Sequence, residues 1–168
     1  MDTSIKRVKI FVASGGDLSE ERKEIILILN KLNVRYPHLH LKPIEWETDI
    51  PPGSYDGKII QDEINPLLEQ CDIVLVSFYS KVGKFTLEEF PLALQKKKKV
   101  FLYFKTGFIT TKSKEIKEYS RLIEFRKKVL YENRVLFKKY DTLQDFLHIL
   151  YEDLNLYISK TYPAQSKK

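Results

Sequence analysis

Cysteine is almost absent from this chain: among 168 residues, only Cys71 carries a thiol. A single cysteine excludes an intramolecular disulfide, which is typical of proteins that fold in a reducing compartment. Histidine is also scarce, and the spacing of His38, His40 and His148 matches no metal-binding motif. We therefore expect no metal site. We expect Cys71 to be a small core residue, because no histidine is placed to activate it as a nucleophile.

Long hydrophobic runs are missing as well. The apolar stretch near the N-terminus, residues 10–13, is shorter than the apolar part of a secretory signal peptide. No other run approaches the roughly 20 apolar residues that a membrane-spanning helix needs. These absences predict a cytoplasmic protein without membrane contact.

Positive charge is in excess, with a formal net charge of +6 that comes mostly from lysine. Much of the lysine lies in three segments, residues 96–99, 112–117 and 167–168. A protein that recognises nucleic acid usually presents arginine interleaved with aromatic side chains on one face. The lysine segments here are typical of solvated helix ends, so the sequence predicts no specific nucleic-acid partner.

Short apolar segments rich in β-formers alternate with amphipathic segments along the chain. The predicted strands are residues 8–13, 40–46, 72–77, 100–104 and 134–138, and the predicted helices are residues 17–35, 59–68, a helix from about 86, 114–131 and 142–158. Such alternation favours right-handed crossovers and a parallel sheet. We predict an α/β, flavodoxin-like three-layer fold with a five-stranded parallel sheet in the order 2-1-3-4-5. The domain is expected to span residues 1–158, followed by a disordered tail, residues 159–168.

Three local signals set helix boundaries. Asp17, with Glu20 three residues later, predicts an N-cap for the first helix. Pro66 predicts a kink or an early break in the second helix. Thr86 and Glu89 match a capping box at the start of the third helix, and Pro91 supports a helix start there because proline is tolerated in a first turn.

Sheets of this kind bind ligands at the carboxyl ends of their strands, near the switch between strands 1 and 3. The loops at that edge are residues 14–17, 47–57, 78–85 and 105–111. Ser14 and Gly15 could form a backbone cradle for a phosphate or ribose, although a tight turn is favoured, and no Walker motif follows them. Ser77, Tyr79 and Ser80 follow the most apolar strand, where ligand contacts are expected.

Two further residues belong to the same predicted edge. Trp46 could stack on a nicotinamide or adenine ring, or it could be partly buried packing at the end of a strand. Asp49 could line the mouth of a site, or it could be a solvated loop acid.

Several phrases in the chain resemble TIR domains, above all a prokaryotic TIR-like group. The phrases are Val12-Ala-Ser-Gly-Gly-Asp-Leu-Ser-Glu-Glu-Arg22, Trp46-Glu-Thr-Asp49, Cys71-Asp-Ile-Val-Leu-Val-Ser77, Gly83-Lys-Phe-Thr-Leu-Glu-Glu-Phe90 and Tyr103-Phe-Lys105. The resemblance covers nearly the whole chain, and it depends on the order and spacing of these phrases taken together. In that group the domain usually lies at the N-terminus of a longer effector or sensor, often in antiviral defence. The resemblance therefore implies self-association or a partner effector or sensor chain.

The resemblance also implies an activity. Enzymatic TIR domains cleave the nicotinamide–ribose bond of NAD by hydrolysis or cyclisation, with NAD as substrate and no metal or cofactor. A carboxylate near the ribose stabilises the positive charge that develops on the sugar. Alignment with the TIR motif assigns this role to Glu89, with Glu88 as the fallback. The residues expected to bind NAD are Ala13, Ser14, Gly15, Trp46, Asp49, Ser77, Tyr79 and Ser80.

Other interpretations of the same residues stay open. Glu89 could equally close a helix N-terminus as the acid of a capping box. Phe85 and Thr86 stand where the TIR motif has Trp-Cys, which favours a non-catalytic module that signals by self-association. A nucleoside deoxyribosyltransferase-like enzyme is a third possibility. A phosphoacceptor receiver domain is excluded, because Ser77 stands where its acceptor aspartate would lie.

Overall fold

The computed structural model of the chain describes residues 5–45, 49, 61–133 and 135–164. The strands are β1 (Lys6–Ser14), β2 (Leu39–Ile44), β3 (Ile73–Phe78), β4 (Lys99–Lys105) and β5 (Lys138–Tyr140). The helices are α1 (Ser19–Arg35), α2 (Gln61–Glu69), α3 (Lys84–Gln95), α4 (Ser113–Asn133) and α5 (Leu143–Thr161), with a short 3-10 turn at Gly16–Leu18 before α1. All strand pairs are parallel, in the order β2-β1-β3-β4-β5. The predicted flavodoxin-like fold is confirmed.

The sheet separates two apolar layers, because successive side chains of a strand point to opposite faces. Val8, Ile10 and Val12 of β1 pack with α1 and α5 in one cluster. Phe11 and Ala13 of the same strand pack with α2, α3 and α4 in the other cluster. Both faces of the central strands are therefore covered, as their near-continuous apolar sequences predict.

β3 is the most deeply enclosed strand, with every one of its residues buried. Cys71 lies just before it, 1% exposed, and its Sγ is 3.1 Å from the carbonyl oxygen of Leu67. Burial raises the pKa of the Cys71 thiol to about 12. The prediction that Cys71 is a small core residue is confirmed.

Several boundaries differ from the sequence predictions. α2 continues through Pro66 to Glu69, so the predicted early break at that proline is wrong. β5 lies at Lys138–Tyr140 rather than at 134–138, because Tyr140 is the residue whose ring joins the α1/α5 cluster. α5 runs three residues beyond the predicted end at Ile158.

The extension of α5 includes the first residues of the predicted tail. Tyr162 packs against the α1/α5 cluster, and its carbonyl oxygen lies 2.9 Å from Nε2 of His38. Residues 165–168 lie outside the described residues. Within the described parts of the chain, no helix combines the length and apolar character needed to cross a bilayer.

Candidate functional site

The loops that follow β1 and β3 are joined at the carboxyl edge of the sheet by Asp17. Its Oδ2 accepts hydrogen bonds from the backbone nitrogen of Ser80 at 3.0 Å and from Ser80 Oγ at 2.6 Å. The predicted N-cap role of Asp17 is wrong, because Leu18 is the N-cap residue of α1 and the Asp17 carboxylate is engaged across the edge. Gly15 permits this arrangement: a Cβ there would lie 2.4 Å from Asp17 Oδ1.

Arg22 of α1 holds the end of β1. Its guanidinium donates to Ser14 Oγ and to the carbonyl oxygens of Ser14 and Gly15, each at 3.1 Å. The N–H of Leu18 also donates to the Gly15 carbonyl at 3.1 Å, which closes the 3-10 turn. The segment thus has the geometry of a tight turn before a helix, the interpretation that the sequence favoured.

Ser77 and Ala13 lie at the switch between β1 and β3, but on opposite faces of the sheet. Ser77 pairs with Ser14 across the two strands and is 3% exposed. By strand alternation its side chain points to the face covered by α1. Ala13 is completely buried in the cluster beneath α3, so only its backbone could meet a ligand.

A charged cluster, buried at Glu21 and Tyr140 and partly buried at Lys105, lies beside this switch and was not predicted from the sequence. Lys105, the last residue of β4, places its Nζ 2.7 Å from Oε1 of Glu21 on α1. The Glu21 side chain is only 4% exposed, and the hydroxyl of Tyr140 donates to the same oxygen at 3.5 Å. Lys105 Nζ also lies 4.9 Å from the ring centroid of Tyr79.

Tyr140 is affected strongly by its surroundings. Burial raises the pKa of its hydroxyl well above the ordinary value, and the neighbouring Glu21 carboxylate raises it further. The hydroxyl therefore keeps its proton further into the alkaline range than an exposed tyrosine does. The cluster connects α1, β4, β5 and the loop after β3 at one place, and it fixes the Tyr79 ring from one side.

Glu89 and Glu88 differ in their environments. Glu89 is 1% exposed, whereas its neighbour Glu88 is exposed. α3 begins at Lys84 with Gly83 as its N-cap residue, so Thr86 and Glu89 are not in capping-box register. The capping interpretation of Glu89 is therefore wrong. Pro91 also lies in the helix interior rather than in the first turn, and it does not mark the helix start.

The position of Glu89 follows from the direction of α3. A crossover helix runs antiparallel to the strands of a parallel sheet, so its first turns lie at the carboxyl edge. Glu89 is the sixth helical residue, roughly 8 Å along the axis from the helix start. Phe90 and Ala93 anchor the helix on the cluster that contains Ala13 and Val76. Glu89 thus lies about midway along the 12-residue helix α3, next to the residues that anchor the helix.

The predicted residues after β2 are only partly described. Asp49 is exposed, and its carboxylate accepts from the backbone nitrogen of Glu45 at 2.8 Å, which closes a local turn. This contact accords with the interpretation of Asp49 as a solvated loop acid. Trp46 lies outside the described residues.

Two cavities open at the carboxyl edge. The first, of about 420 Å³, is lined by Thr106, Lys139, Tyr140, Asp141, Asp145, His148 and Ile149. The second, of about 300 Å³, is lined by Ser80, Lys81, Phe108, Lys114, Glu115 and Glu118. Ser80 is the predicted substrate-binding residue that lines one of these two cavities, and Glu89 lines neither.

The structure therefore brings together Ser14, Gly15, Ser77, Tyr79 and Ser80 at one edge, and adds Asp17, Glu21 and Lys105 to them. A signal for the added residues was present in the sequence. Asp17 and Glu21 belong to the phrase that follows β1, and Lys105 ends the Tyr-Phe-Lys strand. What the sequence could not give was their pairing, which joins residues 63 and 84 positions apart.

No known family profile matches the chain, and no curated protein sequence matches it. Among solved structures, a CMP N-glycosidase of Clostridium botulinum superposes with a TM-score of 0.51 at 14% identity, covering 84% of this chain and 97% of that one. The elongation factor SelB of Methanococcus maripaludis, in complex with a GTP analogue, gives 0.54 at 12% identity, covering 100% and 36%.

A 2-deoxyribosyltransferase of Leishmania mexicana gives a TM-score of 0.41 at 14% identity over 58% of this chain. The present chain spans 64% of the length of that transferase and 36% of the length of SelB. At these identities the similarities show the fold alone.

Proposed function

We propose that the chain is a TIR-like enzyme that cleaves the N-glycosidic bond of a nucleotide, with NAD as the substrate. The observation that carries the proposal is the burial of Glu89, at 1% exposure, in the helix that packs on the cluster containing Ala13 and Val76. A carboxylate withdrawn from water, in the helix that follows a loop of the sheet's ligand-binding edge, is a candidate for a functional group rather than a solubilising one. The resemblance of the surrounding phrases to TIR domains supports the same residue.

In this proposal Glu89 faces the ribose while the nicotinamide bond breaks. The developing oxocarbenium ion carries positive charge on the sugar, and a carboxylate held in a medium of low dielectric stabilises that charge more strongly than one in water. The group departs as neutral nicotinamide, and water or an internal nucleophile of the substrate completes the reaction. No metal or cofactor has a step in it.

In this proposal two residues of the loop after β3, Tyr79 and Ser80, contact the substrate. Tyr79 presents a half-buried ring whose position is fixed by Lys105 and by the edge of Phe108, with ring centroids 5.5 Å apart. A ring held in this way can pack against a base at little entropic cost. Ser80 already gives its N–H and hydroxyl to Asp17, so a ligand would meet Ser80 only where its hydroxyl can still accept.

The test compares two neighbouring glutamates. Glu89→Gln keeps the size of the side chain and removes its charge, and it should lower the rate of nicotinamide release from NAD by about 10²- to 10⁴-fold. Glu88→Gln makes the same change at an exposed position and should leave the rate within about twofold. Circular dichroism and thermal unfolding establish that both variants are folded.

Equal rates of nicotinamide release for the two variants would show that Glu89 takes no part in the reaction. A different result would instead support the deoxyribosyltransferase-like alternative: deoxynucleosides release a free base, the deoxyribose is transferred to a second base, and NAD does not react. The proposed setting, cytoplasmic signalling or antiviral defence through self-association or a partner effector chain, depends on the TIR resemblance alone.

A further inference from the structure

Strand β4 is covered along only part of its outer edge. On one side it pairs with β3 from Lys99 to Phe104. On the other side its pairing with β5 begins at Tyr103, opposite Lys138. The first half of β4 is therefore an open sheet edge in the described part of the chain.

The direction of the backbone groups along β4 can be deduced from one hydrogen bond. The N–H of Thr106 donates to the carbonyl oxygen of Tyr140 at 2.8 Å, on the β5 side. Backbone groups in a parallel strand alternate between the two neighbours, so every second residue counted back from Thr106 faces the same side. Val100 consequently presents both its N–H and its C=O to the open edge.

A groove of about 760 Å³ runs along this open edge, and we refer to it as the edge groove. Its lining is formed by Leu94, Lys98, Lys99, Val100, Phe101, Leu102, Tyr103, Val135, Leu136, Phe137, Lys138, Asp153, Leu156, Tyr157 and Lys160. Apolar side chains from both faces of the sheet contribute. Phe101 and Tyr157 pack edge-to-face on the α5 side, with ring centroids 5.7 Å apart. Val100 and Phe137 pack with the cluster on the opposite side.

The charge around the edge groove is predominantly positive. Four lysines line it against one acid, Asp153, which pairs with Lys138. Lys99 Nζ stands 4.9 Å from the Phe101 ring centroid and 5.2 Å from that of Tyr157, above the apolar floor. Part of the lysine run at 96–99 thus lies at the mouth of the groove, a placement that the proposed function does not use.

The geometry points to the edge groove as a docking site for an extended peptide segment of a partner protein, which adds a strand beside β4. Strand addition satisfies the open backbone groups, and alternate side chains of the added strand contact the two faces of the sheet. The lining requires apolar side chains in the segment, and the lysines require acidic residues between or beside them. The partner's recognised segment is therefore acidic and apolar, not basic.

The experiment measures fluorescence anisotropy with a labelled peptide of about eight residues in which glutamate and valine alternate. The full chain should bind it saturably, with an affinity that falls as salt concentration rises. Lys99→Glu combined with Lys160→Glu should weaken binding by at least about tenfold, because both side chains are exposed groove lysines. Lys23→Glu combined with Lys31→Glu, at two exposed lysines of α1 that do not line the groove, is the matched control and should bind as the unmodified chain does.

Two modified peptides test strand pairing without changing the protein. N-methylation of every second residue blocks one edge of the peptide, and shifting the methyl groups by one residue blocks the other edge. One of the two sets should abolish binding and the other should preserve it. Equal binding by both sets, binding of a lysine-for-glutamate peptide with the same affinity, or no saturation at about 1 mM peptide would each overturn the proposal. So would self-association of the chain that the Lys99→Glu/Lys160→Glu variant abolishes while the peptide does not compete, because a second copy would then occupy the groove.

Discussion

At the carboxyl edge of the sheet, a few side chains connect neighbouring elements through hydrogen bonds and an ion pair. Asp17 fastens the loop after β3, Arg22 fastens the end of β1, and Lys105 joins α1 to the last residue of β4. Gly107, at φ +78°, allows the turn after β4 to pass Asp141, whose Oδ1 would lie 2.9 Å from an added Cβ. These contacts leave little freedom in the loops that the proposed substrate must meet.

The ion pair between Glu21 and Lys105 gives a prediction at the scale of single residues. Glu21→Gln should lower the free energy of unfolding by about 3 kcal/mol, because it leaves a poorly solvated ammonium without its counter-charge. Lys105→Met should have a similar effect, and the double variant should lose less than the sum of the two. Urea denaturation measures all three. Glu69→Gln, which breaks the more exposed pair with Lys96, is the control and should change stability by less than about 1 kcal/mol. Additive effects of the two substitutions would show that the buried pair is not coupled.

Individual residues of the site were predictable to unequal degrees. The placement of Ser14, Ser77, Tyr79 and Ser80 at the edge followed from strand order alone, because carboxyl ends of parallel strands share an edge. The burial of Glu89 did not, since α3 starts two residues before the predicted start near Thr86 and the capping pattern there does not describe the environment of Glu89. A cap motif is a local pattern, and here the packing of Phe90 and Ala93 set the helix position instead.

At the scale of elements, α5 carries the clearest local signal. Thr142 accepts from the N–H of Asp145 at 3.1 Å, and the Asp145 carboxylate accepts from the Thr142 backbone nitrogen at 3.1 Å. This capping box begins the helix whose Phe146, Leu150, Leu154 and Ile158 are all completely buried. The start of this helix was predicted at Thr142, within one residue of its observed first residue, Leu143, because the apolar period begins there.

Removal of that cap should destabilise the whole domain. Thr142→Ala leaves an N–H of the first turn without its acceptor and should lower the free energy of unfolding by about 1 kcal/mol. Thr142→Ser retains the hydroxyl and should stay within about 0.5 kcal/mol of the unmodified chain. Chemical denaturation measures both variants. A loss as large for serine as for alanine would mean that the methyl group, and not the capping hydroxyl, stabilises the helix start.

The strands show why order was easier to predict than boundaries. The apolar segments at 8–13 and 72–77 lie within a residue or two of β1 and β3, because burial on both faces demands a continuous apolar run. β5 has only three residues at the sheet's edge, with burial pattern exposed, exposed, buried. A short edge strand carries too little pattern to distinguish it from the apolar segment Val135–Phe137 that precedes it.

At the scale of the whole molecule, two buried tyrosines make the fold sensitive to alkali. Burial raises the pKa values of Tyr103 and Tyr140 well above their ordinary value of 10, helped by Asp153 and Glu21 respectively. The unfolded chain therefore loses these protons first as pH rises. The stabilising contribution of these two tyrosines is complete below about pH 10. Above that pH the free energy of unfolding falls, by at most about 1.4 kcal/mol per pH unit for each tyrosine.

Denaturation at several pH values above 10 tests this sign directly. Tyr103→Phe and Tyr140→Phe should each make the alkaline loss of stability shallower, because each removes one group that the unfolded state deprotonates first. Tyr131→Phe, at a side chain that is 91% exposed, should leave the slope unchanged. An identical slope in all three variants would show that groups other than Tyr103 and Tyr140 cause the alkaline loss of stability.

The proposed function requires that buried Glu89 meet the sugar of a bound NAD molecule. The measurement that tests it most directly is mass-spectrometric analysis of NAD after incubation with the protein at high concentration. Free nicotinamide should appear together with ADP-ribose or its cyclic form, in amounts proportional to protein. NAD recovered intact at every protein concentration would contradict it.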